Sequence, residues 1–162
     1  MASAATPAIK ALQAAGISYE VRQFRHDPRS TSFGDEAVNE LAAEGFVAAQ
    51  IFKTLVLAVP GGLAVAVLPV PDKLSFKAAA AALGVPKADM ADQAAAQRST
   101  GYVVGGISPL GQRKVLPTVV DQSASGWDRV LCSAGKRGLD VVLAPGDLIR
   151  LTGAVTADIC AQ

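Results

Sequence analysis

The chain has 162 residues, of which 51% are hydrophobic and only 5% aromatic, and its formal net charge is +1. This length allows one domain with a sizeable core, and the small net charge excludes a strong global field that would attract nucleic acid. Two cysteines, Cys132 and Cys160, lie far apart without metal-ligand spacing, which predicts reduced thiols and no metal site. The N-terminus lacks the basic start of a signal peptide, and no run of 18 apolar residues indicates a membrane span. We therefore expect a soluble, cytoplasmic protein.

Capping residues, glycine stops and apolar runs predict the elements in chain order. We expect helices over residues 6–16, 35–44, 72–83, 92–97 and 147–151, and strands over 18–24, 51–59, 63–70, 114–121, 130–134 and 139–144. Pro60-Gly61-Gly62 predicts the turn of a hairpin. Because turns separate the strands more often than helices do, the expected fold is of the α/β (α+β) class. It has a mixed, mostly antiparallel, barrel-like sheet with peripheral helices, in a single domain over residues 1–162.

A glycine-rich segment, Gly105-Gly106-Ile107-Ser108-Pro109-Leu110-Gly111, follows Gly101 and leads into Arg113 and Lys114. Three glycines and a proline in seven residues predict a loop with bare backbone groups. Such a loop beside two cations suits a ligand that carries phosphate or sugar. The alternative is a tight connection between strands.

Lys53 lies within an otherwise apolar strand, and by alternation it shares a face with Ile51, Leu55 and Leu57. A buried, unpaired ammonium is costly, so the pattern indicates an anion partner or the mouth of a pocket. The alternative is a lysine that extends to solvent at a strand end. Thr54 offers a hydroxyl beside it.

Three further groups of polar residues have side chains that could bind a ligand or take part in catalysis. His26, the only histidine, could pair with Asp27 in a relay, although a turn residue is the simpler interpretation. Lys136 and Arg137 lie between glycines in a predicted hairpin turn, where they are either solvated or contact phosphate. Asp140 enters an apolar strand and could orient a ligand amine or a water, or pair with a neighbouring cation.

Several separated motifs together resemble the YbaK proteins, free-standing relatives of the editing domain of bacterial prolyl-tRNA synthetase. The resemblance extends from Thr6 to about Ile159, nearly the whole chain. The motifs are listed here in chain order: Phe24-Arg25-His26-Asp27-Pro28, Phe33-Gly34-Asp35-Glu36, Ile51-Phe52-Lys53-Thr54-Leu55, Gln97-Arg98-Ser99-Thr100-Gly101-Tyr102, the glycine-rich segment, and Gly135-Lys136-Arg137-Gly138-Leu139-Asp140.

The resemblance implies a cytoplasmic deacylase for cysteine wrongly attached to tRNA(Pro), working with prolyl-tRNA synthetase, as a monomer or weak homodimer and without a cofactor. It implies that Lys53 contacts the 3′ end of the tRNA and that Asp140 faces the amino-acid end of the pocket. Other implied contacts are to the substrate, from Phe24, Phe33, Thr54, Gly101, Gly105, Gly106, Ile107, Ser108 and Pro109, and to the tRNA, from Arg113, Lys114, Lys136 and Arg137.

The resemblance also implies that no protein nucleophile is used and that the substrate's own thiol attacks its ester. Proximity of this kind can lower a reaction barrier by roughly 7–11 kcal/mol. Phe24 stands where the best-known relatives carry a tyrosine. Three alternatives remain open at this point: a deacylase for another amino acid such as alanine, a non-catalytic module that binds tRNA or synthetase, and a small-nucleotide-binding protein.

Overall fold

A computed structural model describes residues 5–162. The first four residues, where the predicted domain begins, lie outside the described residues. Besides two short 3₁₀ helices, Ala48–Gln50 and Gln122–Gly126, the described part contains five α-helices and eight strands. In chain order they are α1 (Pro7–Ala14), β1 (Tyr19–Gln23), α2 (Phe33–Ala42), β2 (Phe52–Val59), β3 (Gly62–Pro69), α3 (Phe76–Leu83), β4 (Asp89–Met90), α4 (Gln93–Thr100), β5 (Thr118–Asp121), β6 (Val130–Lys136), β7 (Leu139–Leu143), α5 (Pro145–Thr152) and β8 (Val155–Ala157).

The strands form two sheets. The first has the order β1-β7-β6 and is antiparallel throughout, and the second has the order β4-β2-β3-β5-β8. In the second sheet β3–β5 and β5–β8 are parallel pairs, whereas β2 is antiparallel to both β3 and β4. A bridge between Ile51 and Leu131 connects the sheets just before β2 begins. The predicted fold class, with mixed, mostly antiparallel strands and peripheral helices, is confirmed.

Three buried apolar clusters hold these layers together. The largest joins α1 to both sheets, and the second lies under α3 against β3 and β5. In the third, Leu41 of α2 packs against Ile51, Leu131 and Val142. This packing fixes α2 beside the start of β2, and the site described below lies at that junction. Within residues 5–162, no helix has both the length and the apolarity needed to cross a bilayer.

Two predicted boundaries are wrong. Helix α3 begins at Phe76 with Ser75 as its capping residue, instead of at residue 72. The preceding residues are held elsewhere, because the amide of Ser75 donates to the carbonyl of Ile159. Strand β5 begins at Thr118 instead of residue 114, since the amides of Arg113 and Lys114 donate to the end of α4. The short strands β4 and β8 were not predicted.

Candidate functional site

A cavity of about 430 Å³ opens between β2, the start of α2, the loop after α4 and the β6–β7 turn. The cavity walls come from segments that are far apart in the sequence, so only the tertiary fold assembles them. Nine of the residues singled out from the sequence line the cavity: Phe24, Phe33, Lys53, Thr54, Gly105, Ile107, Lys136, Arg137 and Asp140.

Lys53 is half-buried at the cavity wall, and its ammonium is held by two backbone carbonyl groups. Its Nζ donates to the carbonyl oxygens of Val70, at 3.2 Å, and Asp72, at 2.6 Å. Burial lowers the pKa of Lys53, and the nearby negative charges, led by Asp72, partly oppose that shift. An ammonium has three donors, so one of its N–H groups has no partner among these carbonyls. Lys53 can therefore present one charged donor to an anion or a hydroxyl.

Asp140 is buried in the middle strand of the first sheet and borders the same cavity. Burial raises the pKa of its carboxyl to about 7. No cation of the described residues forms an ion pair with it. A carboxyl in that state can accept a hydrogen bond or donate one near neutral pH.

Thr54 lines the cavity with a hydroxyl that has no hydrogen-bond partner in the described structure. Buried polar atoms are usually paired, so this hydroxyl is available to a bound molecule. Ser133 also borders the cavity and lies opposite Asp140 in the β6–β7 pairing. Its Oγ accepts from the amide of Gly135 at 3.1 Å. The cavity thus offers hydroxyl, carboxyl and ammonium groups among apolar side chains and further charged residues.

Phe33 is held at the cavity rim by contacts with Arg137 and Gly105. The guanidinium of Arg137 lies over its ring, 4.7 Å from the centroid, and Arg137 Nε donates to the carbonyl of Val104 at 2.8 Å. Gly105 has a φ of +91°, and a Cβ at this position would lie 2.7 Å from the Phe33 ring. Glycine is therefore needed here for its backbone angle and for the close approach of the ring.

Gly106 fits against the β6–β7 turn. A Cβ on Gly106 would lie 2.8 Å from the amide nitrogen of Arg137 and from the carbonyl carbon of Lys136. The loop and the turn therefore meet backbone to backbone. This contact fixes the positions of Lys136 and Arg137 at the rim of the cavity.

The other predicted site residues lie outside the cavity lining. Gly101 ends α4 with a φ of +83°, while Ser108 and Pro109 are buried in the loop. Ser108 Oγ accepts from the amide of Leu110 at 3.2 Å. Arg113 and Lys114 are exposed beyond the loop. In the structure, Gly101, Ser108 and Pro109 shape the loop, and Gly105 and Ile107 are the loop residues that reach the cavity.

His26 pairs with Glu36 instead of its neighbour Asp27. The distance from His26 Nδ1 to Glu36 Oε1 is 2.7 Å, and the other Glu36 oxygen accepts from the amide of Asp27 at 2.8 Å. The hydrogen bond from His26 is the largest cause of the lowered pKa of Glu36. This pair ties the segment after β1 to α2. Glu36 and His26 both lie in motifs that resemble those of the YbaK proteins, which is the one signal of this pair in the sequence. Their separation of ten residues gives no reason to pair them.

Phe24 lines the cavity, and no tyrosine is among the described residues that line it. Its amide donates to the carbonyl of Gly138 at 2.8 Å, which places it beside the β6–β7 turn. Tyr19 instead packs against the largest core cluster.

Comparison with known proteins places this architecture in a family. The family model for the aminoacyl-tRNA editing domain matches residues 35–151. EbsC of Enterococcus faecalis, whose name provisionally makes it a Cys-tRNA(Pro)/Cys-tRNA(Cys) deacylase, is 38% identical over 116 residues, which cover 71% of each chain. The proline–tRNA ligase of Shouchella clausii is 32% identical over 147 residues, covering 90% of this chain but only 24% of the ligase.

Solved structures agree with this assignment. The crystal structure of a protein provisionally described as a trans-editing enzyme for prolyl-tRNA synthetase has a TM-score of 0.83 and 27% identity. It covers 99% of this chain and 100% of its own. The hypothetical protein APE2540 shares the fold, with a TM-score of 0.81, 24% identity and coverage of 96% of this chain and 99% of its own. The chain belongs to the aminoacyl-tRNA editing domain family. Its class of activity is the removal of amino acids from tRNA.

Proposed function

We propose that this protein, acting as one editing domain, is a trans-editing deacylase that hydrolyses Cys-tRNA(Pro) made in error by prolyl-tRNA synthetase. The observation that carries the proposal is the cavity that combines Lys53, Thr54 and Asp140 with the backbone of the loop at Gly105. The name of EbsC supports the choice of cysteine and of tRNA(Pro). Selection of proline over cysteine by size is weak, because a pocket discriminates poorly between side chains of similar volume.

Each group in the cavity has a proposed task. The free N–H of Lys53 binds the phosphate or ribose at the 3′ end of the tRNA. The carboxyl of Asp140 faces the amino-acid end of the cavity. There the α-ammonium of the substrate's amino acid supplies the positive partner that Asp140 lacks among the described residues. Phe24, Phe33 and the hydroxyl of Thr54 bound the space for the side chain, and Lys136 and Arg137 contact phosphate at the rim.

The proposed chemistry uses the substrate as its own nucleophile. The cysteine sulfur forms a bond to the ester carbonyl carbon as the carbon–oxygen ester bond breaks, and the thiol proton ends on the ribose hydroxyl. Water then opens the cyclic thioester to release cysteine. The protein supplies orientation, which is the larger part of the effect in reactions of this kind.

The surroundings of the two most reactive side-chain types, cysteine and histidine, support this route. Cys132 is fully buried, and burial raises the pKa of its thiol far above the ordinary range, so it is a poor nucleophile. His26, the single histidine of the chain, is paired with Glu36 and does not line the cavity. Among residues 5–162, therefore, no histidine is placed to activate a cavity serine or threonine.

The test is to incubate the protein with tRNA(Pro) carrying labelled cysteine, alanine or proline and to compare ester loss with the spontaneous rate. We expect rapid loss of cysteine alone. Rapid loss of alanine would contradict thiol assistance, because alanine has no thiol and requires an activated water. No loss of any of the three by folded protein supplied with the synthetase would contradict the deacylase and favour a binding module.

A further inference from the structure

One side of the cavity is bordered by a stretch of sequence that contains no acidic residue. Between Asp92 and Asp121 there is neither aspartate nor glutamate, whereas Arg98, Arg113 and Lys114 all lie in this stretch. The whole chain has 15 lysines and arginines and 14 aspartates and glutamates. In a chain that is nearly neutral overall, this stretch therefore carries a local excess of positive charge.

The fold gathers these cations at the end of α4. The amides of Arg113 and Lys114 donate to the carbonyls of Thr100 and Ser99, at 2.9 and 3.0 Å. The side chain of Arg113 folds over Gly101, where a Cβ would lie 3.6 Å from its Nε. Arg98 lies in the last turn of the same helix. The backbone of all three residues is therefore located at the C-terminal turn of α4.

The loop continues this charge to the cavity. Gly106 lies against the backbone of Lys136 and Arg137, and Arg137 bonds to Val104. We call the surface formed by Arg98, Arg113, Lys114, Lys136 and Arg137 the basic face. All five side chains are exposed, and the face extends from the cavity rim to the end of α4.

The basic face is not neutralised by the described protein. None of its five cations forms an ion pair with a residue in 5–162, whereas Arg22, Arg129 and Arg150 do. The C-terminus of α4 carries about half a negative charge from the helix dipole, which can offset one cation at most. A surplus of several positive charges therefore remains facing solvent.

The start of α2, which also borders the cavity, is acidic. Helix α2 carries Asp35, Glu36 and Glu40, and Glu44 follows it directly. Asp35 and Glu36 line the cavity itself. A polyanion whose end enters the cavity is repelled from the α2 side and attracted to the basic face.

We propose that the acceptor stem of the tRNA leaves the cavity across the basic face, with its phosphates on Arg98, Arg113 and Lys114. This rests on the proposed function, since it extends the same substrate outward from the cavity. An RNA duplex fits this surface because its backbone presents phosphates in series, while the bases need not be read. A protein partner fits less well, since Val103 and Val115 are the only large apolar side chains exposed on the described part of this loop.

The experiment measures equilibrium binding of two uncharged probes, an acceptor-stem minihelix ending in CCA and a single-stranded CCA trinucleotide, from 50 to 300 mM salt. The test variant is Arg113→Gln with Lys114→Gln. The matched control is Lys77→Gln with Lys87→Gln, which removes the same charge from two exposed lysines on and after α3. All four side chains are exposed and make no described hydrogen bond, so both variants should fold.

We expect the test variant to bind the minihelix roughly tenfold more weakly at about 0.1 M salt, with the slope of log K against log salt reduced by about 2. Adding Arg98→Gln should reduce the slope by about one more. Binding of the trinucleotide should not change, because it reaches only the cavity. The control variant should match the unmodified protein.

Unchanged minihelix binding by the test variant would overturn the proposal, and so would an equal loss in test and control. Unchanged RNA binding with weakened binding of prolyl-tRNA synthetase would make the basic face a protein interface instead. Because the probes carry no amino acid, the result does not depend on hydrolysis. A protein that binds the minihelix through this face but cleaves no ester would keep this inference and lose the proposed function.

Discussion

The two sides of the cavity use charge in different ways. On the α2 side, two acidic groups are paired with neighbours: Glu36 accepts from His26 and from the amide of Asp27, and Glu44 pairs with Arg22 at 3.0 Å. The cations of the basic face, by contrast, have no ionic partner among the described residues. Paired charges fix the shape of a wall, whereas unpaired charges are available to a ligand. The difference separates residues that build the site from residues that we expect to bind.

Lys53 lies between the two sides and should give the largest effect. We expect Lys53→Ala to reduce kcat/KM for Cys-tRNA(Pro) by about a hundredfold or more, since it removes the charged donor at the cavity wall. The fold should be retained because the side chain is only half-buried. Lys77→Ala, an exposed lysine of α3, is the control. Steady-state deacylation and circular dichroism of both variants check this, and full activity of Lys53→Ala would remove the residue from the mechanism.

A glycine from each side gives the next comparison. In Gly106→Ala the new methyl group meets backbone atoms at 2.8 Å, and in Gly34→Ala it meets the Cγ1 atom of Val70 at 2.9 Å. Backbone must move in the first case, but a single side chain can adjust in the second. We expect Gly106→Ala to lose about 1–3 kcal/mol of unfolding free energy and most of its activity, and Gly34→Ala to change stability by less than about 1 kcal/mol.

Urea denaturation and deacylation assays of the two glycine variants give the answer. Equal effects would show that the seam between the loop and the β6–β7 turn is no more rigid than the α2 side. Such a result would also weaken the argument that Gly106 places Lys136 and Arg137.

Asp140 contrasts with the paired carboxylates through its pH dependence. Burial raises its pKa from 3.8 to about 7, so the folded state holds the proton more tightly than the unfolded state. The stability from this group is complete below pH about 4 and is lost as the pH rises through 7. Asp140→Asn should therefore gain in unfolding free energy relative to the unmodified protein between pH 4 and 8, by at most about 4 kcal/mol. Denaturant midpoints across this range check the sign, and a difference that is constant with pH would contradict it.

Glu36 should show the opposite trend with a smaller size. Its pKa is lowered from 4.5, first by the hydrogen bond from His26. Its contribution is therefore present above pH 4.5 and is lost as the pH falls through the lowered pKa. We expect Glu36→Gln to lose about 1 kcal/mol at pH 7 and less at acidic pH. Glu40→Gln, an exposed carboxylate on the same helix, is the control, and an equal loss in the two variants would show that the pairing with His26 has no special role.

The sequence predicted the parts of the fold that depend on local chemistry. The β2–β3 hairpin follows from two apolar runs around Pro60 and Gly61, and its pairing extends from Phe52 with Pro69 to Val59 with Gly62. It did not predict which face of β1 is covered. Val21 is 40% exposed, while Arg22 packs against Phe46 and pairs with Glu44. Alternation alone assigns the apolar residue to the interior, and only the tertiary partners of Arg22 reverse that.

The candidate site shows the same division. Lys53 and the glycine-rich loop could be singled out because an isolated charge in an apolar strand and a cluster of glycines are local signals. The pairing of His26 with Glu36 and the contact of Gly106 with the β6–β7 turn join distant segments, so no local pattern indicates them. The start of α3 was misplaced for a similar reason, since the carbonyl of Asp72 is engaged by Lys53.

The smallest effect on activity is expected from the cysteines, which belong to neither side of the cavity. Cys160→Ser should leave deacylation unchanged. Its thiol contacts a carboxylate oxygen of Asp72 at 3.5 Å, and burial raises its pKa to about 12. Cys132→Ala should also retain activity while losing about 1–2 kcal/mol of stability from its fully buried position. If Cys132→Ala were folded but inactive, the thiol would be a protein nucleophile. Attack by the Cys132 thiol would then replace attack by the substrate thiol as the first step of the mechanism. A covalent intermediate on Cys132 should in that case form in the unmodified protein and not in the variant.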